Sequence, residues 1–110
     1  MAKEQLGNLE LMVLLALLRV QRGAYGVPIS REIAEQTGRE VAIGSVYAAL
    51  ERLERKGFVS SALGEPSAER GGRAKRYFQI TGKGTGEVRD TQRMLTNMWR
   101  NLAGLQGESA

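Results

Sequence analysis

The spacing of apolar positions along the chain predicts three consecutive helices in its first half. Residues 9–20 are apolar almost all round and contain neither Gly nor Pro, which predicts a helix at the centre of a core. A second helix is predicted over residues 27–38, because Pro28 suits a first helical turn and Gly38 suits an end. Glycines on either side of Tyr25 predict a turn between these two helices. The third helix is predicted over residues 43–56.

The third predicted helix has two different faces. Its apolar positions recur every three or four residues and predict a buried stripe made of Ile43, Val46, Leu50 and Leu53, with Tyr47 on the flank. The opposite face has small residues near its start and cations near its end, namely Ser45, Ala48, Arg52, Arg55 and Lys56. Such a face allows close approach of the helix backbone to an acidic surface.

After Gly57 the spacing becomes that of β-strands. Residues 58–63 and 75–80 are short segments rich in aromatic or branched side chains, which predicts two strands. The segment between them contains the pair Gly71 and Gly72 together with several charges, as expected for a turn. The two strands and this loop predict a β-hairpin with a basic tip.

The C-terminal part is predicted to form a helix over residues 82–106 that begins at Thr81 and is followed by a frayed tail at 107–110. Three glycines in its first turns predict a soft start. Its apolar positions alternate steps of three and four residues, as in a heptad seam, through Val88, Thr91, Leu95, Met98, Leu102 and Leu105. The seam predicts a homodimer interface. Met94 and Trp99 beside it fit either the dimer core or a pocket for a flat ligand.

Composition then excludes several functional classes. The chain of 110 residues has a formal net charge of +4, which suits an acidic partner such as nucleic acid. It contains neither Cys nor His, so disulfides, thiolate metal sites and His-based catalysis are excluded, and we expect no cofactor and no metal. An enzyme based on carboxylates would need a convergent acidic cluster, which the pattern does not show. The apolar run at 11–18 is too short to span a membrane, so we expect a cytoplasmic protein.

The glycines and cations of residues 69–84 do not match a nucleotide-binding loop. A Walker A motif needs Ser or Thr after Gly-Lys, whereas Gly84 follows Lys83, and the dinucleotide fingerprint needs Gly at the position of Glu87. The flanking strands also argue against a linker. Three helices followed by a basic hairpin are the order of a winged helix-turn-helix domain. We therefore predict a mainly α fold with a small β-hairpin, in which residues 1–81 form the DNA-binding domain and the C-terminal helix forms the dimer.

The cations of the predicted helix face and hairpin would lie along one side of such a domain. They are Arg52, Arg55, Lys56, Arg70, Arg73, Lys75 and Arg76. Each of them taken alone is more simply explained as a solvated surface charge, but their coincidence with a helix face and a hairpin favours contacts to double-stranded DNA. The alternative is a winged-helix protein-docking module, which would not need the basic loop.

Four stretches carry a resemblance that covers most of residues 6–105. They are LELMVLLALL, GAYGVPISREI, GSVYAALERLERKGFV and ERGGRAKRYFQIT, followed by a Gly three residues after the last Thr. This order resembles the PadR family of bacterial transcriptional regulators, most specifically in the signature at 44–53. The resemblance implies dimers, usually repressors, that bind inverted repeats in promoters and are released by small molecules such as phenolic acids or drugs.

The resemblance also implies roles for particular residues. Ser45, Tyr47 and Arg52 would lie on or beside the recognition helix, and Arg73, Lys75 and Arg76 would belong to the wing. Together with the residues from the basic face, the predicted DNA-binding set is Ser45, Tyr47, Ala48, Arg52, Arg70, Arg73, Lys75 and Arg76. Ala42 and Ile43 stand where the family often has Ser or Thr followed by Pro, so the recognition helix is expected to lack a side-chain cap.

Overall fold

The computed structural model describes residues 6–64, 75–102 and 104. Its elements follow the order α1 (Asn8–Val20), α2 (Gly26–Thr37), α3 (Ile43–Arg55), β1 (Val59–Leu63), β2 (Arg76–Ile80) and α4 (Gly82–Trp99). The predicted fold class is therefore confirmed: a mainly helical chain with one antiparallel hairpin. Gly26, one of the two glycines predicted to form the turn before α2, is instead the first residue of that helix.

The core forms where α1 packs against α2, α3 and the hairpin. Fully buried side chains come from all three N-terminal helices, and Phe58, Val59 and Phe78 complete the core from the hairpin side. The central position of α1 is thus confirmed, but Leu15 and Leu18 on its outer side are exposed. Ile43, predicted in the buried stripe of α3, is also exposed, because it is the first residue of that helix and lies at its edge.

The helix ends follow the local sequence signals. Gly38 ends α2 in the left-handed conformation, with φ of +74°. Ala42 precedes α3 without a side-chain cap, as expected. Thr81 caps α4, because its hydroxyl oxygen accepts a hydrogen bond from the Gly84 N–H at 3.0 Å.

The hairpin is joined to the helical layer by a backbone hydrogen bond. Its strands pair in antiparallel register from Val59 opposite Ile80 to Leu63 opposite Arg76. The Phe78 N–H donates to the Ala24 carbonyl oxygen at 2.8 Å, which fixes β2 to the loop before α2. The predicted basic tip, with Arg70 and Arg73, lies outside the described residues.

The first turns of α4 contain three glycines, at positions 82, 84 and 86. The helix is regular from Gly82, and at Gly84 the backbone packs directly on the segment that follows α3. A Cβ atom at position 84 would lie 2.2 Å from the Phe58 carbonyl oxygen, which also accepts a hydrogen bond from the Thr81 N–H at 3.0 Å. Gly84 is therefore required for close approach of two backbone segments.

The prediction for the end of the last helix was wrong. The helix ends at Trp99 and does not continue to residue 106. Arg100 has an extended backbone and Asn101 has a φ of +65°, a conformation that Asn tolerates better than most residues. Leu102, assigned to the seam, consequently lies beyond the helix. Leu105 and the tail at 107–110 lie outside the described residues.

We predict opposite effects on stability for two substitutions in α4. Gly84→Ala should lower the free energy of unfolding by about 1–3 kcal/mol, because the added Cβ meets a hydrogen-bonded carbonyl. Gly86→Ala should raise it by up to about 1 kcal/mol, because a Cβ there meets no atom within 4 Å and Ala favours helix. Urea unfolding checks both, and equal effects at the two positions would contradict the close-packing role of Gly84.

Candidate nucleic-acid interface

The outer face of α3 is free of overlying structure in the described part of the chain. Ser45, Ala48, Arg52 and Arg55 are all exposed, while Val46, Leu50 and Leu53 of the inner stripe are buried. The turn before α3 is held in place by Ser30, whose hydroxyl donates to the Val41 carbonyl oxygen at 3.0 Å. The α2–turn–α3 unit therefore presents one helix face with small residues first and cations last.

Tyr47, predicted at the DNA surface, has contacts inside the domain. Its side chain is half-buried and its hydroxyl oxygen accepts a hydrogen bond from the Gly26 N–H at 3.1 Å. Its ring lies 6.3 Å from that of Phe78, measured between centroids. These contacts fix α3 to the start of α2 and to the hairpin, so Tyr47 orients the recognition helix from its inner side.

A buried carboxylate joins α1 to the cationic end of α3. Glu10 is only 4% exposed. Its Oε2 accepts from Arg52 Nε at 2.9 Å, and its Oε1 accepts from Lys56 Nζ at 3.0 Å and from the Gly7 N–H at 2.8 Å. Two cations from the predicted DNA-binding face are therefore held by one acid from another helix.

These contacts keep Glu10 ionised. Burial by itself raises the pKa of a carboxyl group, but the hydrogen bonds from Gly7, Lys56 and Arg52 together outweigh it, so the pKa of Glu10 lies below its usual value of 4.5. A charged carboxylate then faces two positive charges at neutral pH. The cluster of Glu10, Arg52 and Lys56 therefore carries one net positive charge at the end of α3.

The base of the wing is tied to α3 through side chains. Arg76 Nη1 donates to the Ser61 hydroxyl oxygen at 3.0 Å, and that hydroxyl donates to Glu54 Oε2 at 2.8 Å. Lys75 Nζ lies 3.7 Å from the ring centroid of Tyr25, a cation–π contact. Both predicted wing cations in the described part of the chain are thus positioned against the helical layer.

The start of α4 is tied to the end of α3. Lys83 Nζ donates to the Lys56 carbonyl oxygen at 2.8 Å, and the Thr81 hydroxyl donates to the Gly57 carbonyl oxygen at 2.7 Å. Lys83 therefore satisfies a terminal carbonyl of α3 and adds a cation where the helix dipole is negative. Together with the close approach at Gly84, these contacts hold the start of α4 against the end of α3.

The far part of α4 exposes large apolar side chains. Met94, Leu95, Met98 and Trp99 are all exposed, with Met98 at 71% and Trp99 at 63%. The predicted seam differs at its start, because Val88 packs against the core of its own chain and Thr91 is half-buried.

A second apolar surface lies between α1 and α2. A groove of about 300 Å³ there is lined by Met12, Leu15, Leu18 and Ile33, with Arg19 and Glu32 at its polar side. No helix in the described residues is long and apolar enough to cross a membrane. Large apolar side chains are exposed on both α1 and α4, and such surfaces are candidates for contacts with another protein surface.

Two residues important for this geometry were missed in the sequence. Glu10 is the only acid in the mainly apolar helix α1. A charge in such a place needs a partner, so this single acid is the signal in the sequence that could have identified the contact. Its partners Arg52 and Lys56 are 42 and 46 residues away, so the sequence does not identify them. Lys83 lies between two glycines in a segment that resembles a phosphate loop, and nothing in this local sequence indicates its hydrogen bond to the end of α3.

Comparison with known proteins places this geometry in a family. Residues 14–90 match the PadR-like family of transcriptional regulators. An uncharacterized protein of Lysinibacillus sphaericus is 35% identical over 80 residues, which are 71% of this chain and 69% of that protein.

Two solved structures have the same fold. A PadR-like transcriptional regulator from Bacillus cereus shares 27% identity and a TM-score of 0.66, over 91% of this chain and 93% of the other. A transcriptional regulator from Clostridium thermocellum shares 23% identity and a TM-score of 0.67, over 82% of each chain.

The fold and the exposed helix face define a winged helix-turn-helix transcriptional regulator. The chain belongs to the PadR-like family, so the resemblance read from the sequence is confirmed. Proteins of this family regulate transcription and are not enzymes, which also confirms the expectation that this chain has no catalytic function.

We predict that Glu10→Gln flattens the acid end of the stability profile. Because the folded-state pKa of Glu10 is lowered, its stabilisation is complete above about pH 4.5 and is lost as the pH falls through the lowered pKa. The wild type should therefore lose more stability than the variant between pH 6 and pH 3. Urea unfolding at both pH values measures this, and parallel losses would contradict it.

Glu32 provides a comparison for this experiment. Hydrogen bonds from Arg19 and Gln36 also lower its pKa, at a more exposed site. Glu32→Gln should therefore change the pH profile in the same direction but by less, because solvent screens an exposed ion pair.

Proposed function

We propose that the protein is a homodimeric repressor that binds an inverted repeat in double-stranded DNA. The observation that carries this proposal is the exposed face of α3, which has Ser45 and Ala48 at its start and Arg52 and Arg55 at its end. Small side chains allow the helix backbone to come close to base edges in the major groove, and the cations neutralise phosphates. Family membership favours this function over a docking module.

In this proposal α3 is the recognition helix and the hairpin is the wing. Ser45, Ala48 and Arg52 face the bases or their flanking phosphates. Lys75 and Arg76, with Arg70 and Arg73 from the loop, contact phosphates or the minor groove. Tyr47 supports α3 from within, as its bond with Gly26 indicates. Promoter binding is consistent with the expected cytoplasmic location.

The exposed apolar surfaces support a dimer built on α4. Residues 1–81 would then be the DNA-binding domain and α4 the dimerisation element. Leu95, Met98 and Trp99 would otherwise leave a continuous apolar stripe in water, which monomers seldom tolerate. The groove between α1 and α2 offers a matching apolar surface for the partner's last helix. Val88, Thr91 and Leu102 would contribute at the ends of this interface.

A small planar ligand is the proposed effector. Trp99 is a suitable stacking platform, and Met94 beside it provides an adaptable apolar surface. The contacts of Lys83 and Thr81 with the end of α3 support the coupling, because a change in the packing of α4 would move the recognition helix. Ligand and DNA would then compete through the separation of the two α3 helices.

The DNA proposal predicts selective binding to symmetric duplexes. Selection from a random duplex library should return an inverted repeat with half-sites about one helical turn apart. Arg76→Ala should weaken binding to all sequences similarly and reduce the slope of log K against log salt by about one, because it removes one phosphate contact. Recovery of no common sequence would contradict the proposal, and an Arg76→Ala defect at one base pair alone would contradict its phosphate role.

The effector proposal predicts a reciprocal effect measured through Trp99. It is the only Trp in the chain, so its fluorescence reports on this site alone. Planar aromatic compounds should quench it and weaken DNA binding, and DNA should weaken binding of the compound by the same factor. Absence of quenching, with stability lost on Trp99→Ala, would instead place Trp99 in the dimer core.

A further inference from the structure

The contact between Glu10 and Arg52 uses only one edge of the guanidinium group. An arginine has five N–H donors, one on Nε and four on the two Nη atoms. Glu10 Oε2 accepts from Nε at 2.9 Å. The Arg52 side chain is 44% exposed, whereas Glu10 is almost fully buried. The arginine is therefore anchored on its inner edge while its outer part lies at the surface of α3.

Among the residues that the structure describes, no hydrogen bond involves the Arg52 Nη atoms, so these donors can serve an external partner. The Nη edge forms the paired hydrogen bonds by which arginine recognises guanine or a phosphate. A side chain that is already fixed loses less conformational freedom when it binds. Lys56 holds the other side of the Glu10 carboxylate through Nζ, at 3.0 and 3.2 Å from its two oxygens. The carboxylate is thus itself fixed in place.

The same carboxylate reduces the positive charge of the DNA-facing surface. Non-specific binding depends on the number of cations near the phosphates and is insensitive to their orientation. Specific binding depends on where the donors point. Glu10 consequently acts on the two kinds of binding in opposite directions.

We infer that Glu10 is a positioning residue for DNA recognition, which holds Arg52 by its Nε edge and so raises the ratio of specific to non-specific binding. The inference rests on the proposed function, in which α3 reads DNA. It assigns the discrimination of the recognition helix partly to an acid on α1 that never touches the DNA.

The test compares Glu10→Gln with Glu35→Gln. Both variants remove one negative charge. Glu35, however, is exposed on α2 and does not belong to the cluster of Glu10, Arg52 and Lys56. The measured quantity is the ratio of affinities for the selected duplex and for a scrambled duplex of equal length, at fixed salt. Glu35→Gln should keep the wild-type ratio. Glu10→Gln should lower it roughly 5- to 150-fold, the range for losing one paired base contact, without weakening binding to the scrambled duplex.

A second variant covers the case in which Glu10→Gln does not fold. Glu10→Asp keeps the charge but shortens the side chain, which withdraws the carboxylate from Arg52. It should lower the ratio and leave binding to the scrambled duplex unchanged. In an Arg52→Ala background, substitution of Glu10 should have no further effect on the ratio, because the two residues act as one unit.

The outcomes separate the inference from the proposed function. A wild-type protein without any preference for a sequence would overturn both. A wild-type preference that survives in Glu10→Gln and Glu10→Asp would overturn the positioning role alone. Equal weakening on both duplexes would show that Glu10 serves only folding, and this would also overturn the inference.

Discussion

The position of the recognition helix depends on one buried ionised group, the carboxylate of Glu10. It accepts hydrogen bonds from Arg52 and Lys56, and it is nearly inaccessible to solvent. A charge in that place is tolerated only when it is paired, so the end of α3 and the start of α1 must stay together. Separating them would leave an uncompensated buried charge, which is strongly destabilising.

The end of α3 is also the meeting point of the other elements. The Lys56 carbonyl accepts from Lys83, the Gly57 carbonyl accepts from Thr81, and the Phe58 carbonyl packs against Gly84. The wing joins the same helix through Ser61 and Glu54. A helix fixed to α1, to the wing and to α4 gives the proposed dimer a direct means of setting how two recognition helices lie relative to each other.

Most of the fold could be predicted from the sequence because its signals are local. Gly38 ends α2 and Thr81 caps α4 through contacts within four residues, and the inner stripe of α3 follows helical spacing. Three features could not be predicted, because they depend on contacts between distant residues or on backbone conformations that local spacing does not encode. Glu10 finds partners more than 40 residues away, Gly84 meets a carbonyl of another segment, and α4 ends where Arg100 takes an extended backbone.

In the proposed dimer, two rigid α3 helices would lie one DNA turn apart, and this distance is the central claim. The chain has no cysteine, so Ala48→Cys on the outer face of α3 gives one spin-label site in each protomer. Pulsed dipolar spectroscopy of the free protein should give a single narrow distribution of distances between the two labels, centred at about 34 Å and broadened only by the label linkers. Leu95→Lys, which disrupts the apolar stripe of α4, should abolish the dipolar signal. A wild-type protein with no dipolar signal, or with a broad distribution far from one helical turn, would contradict the account.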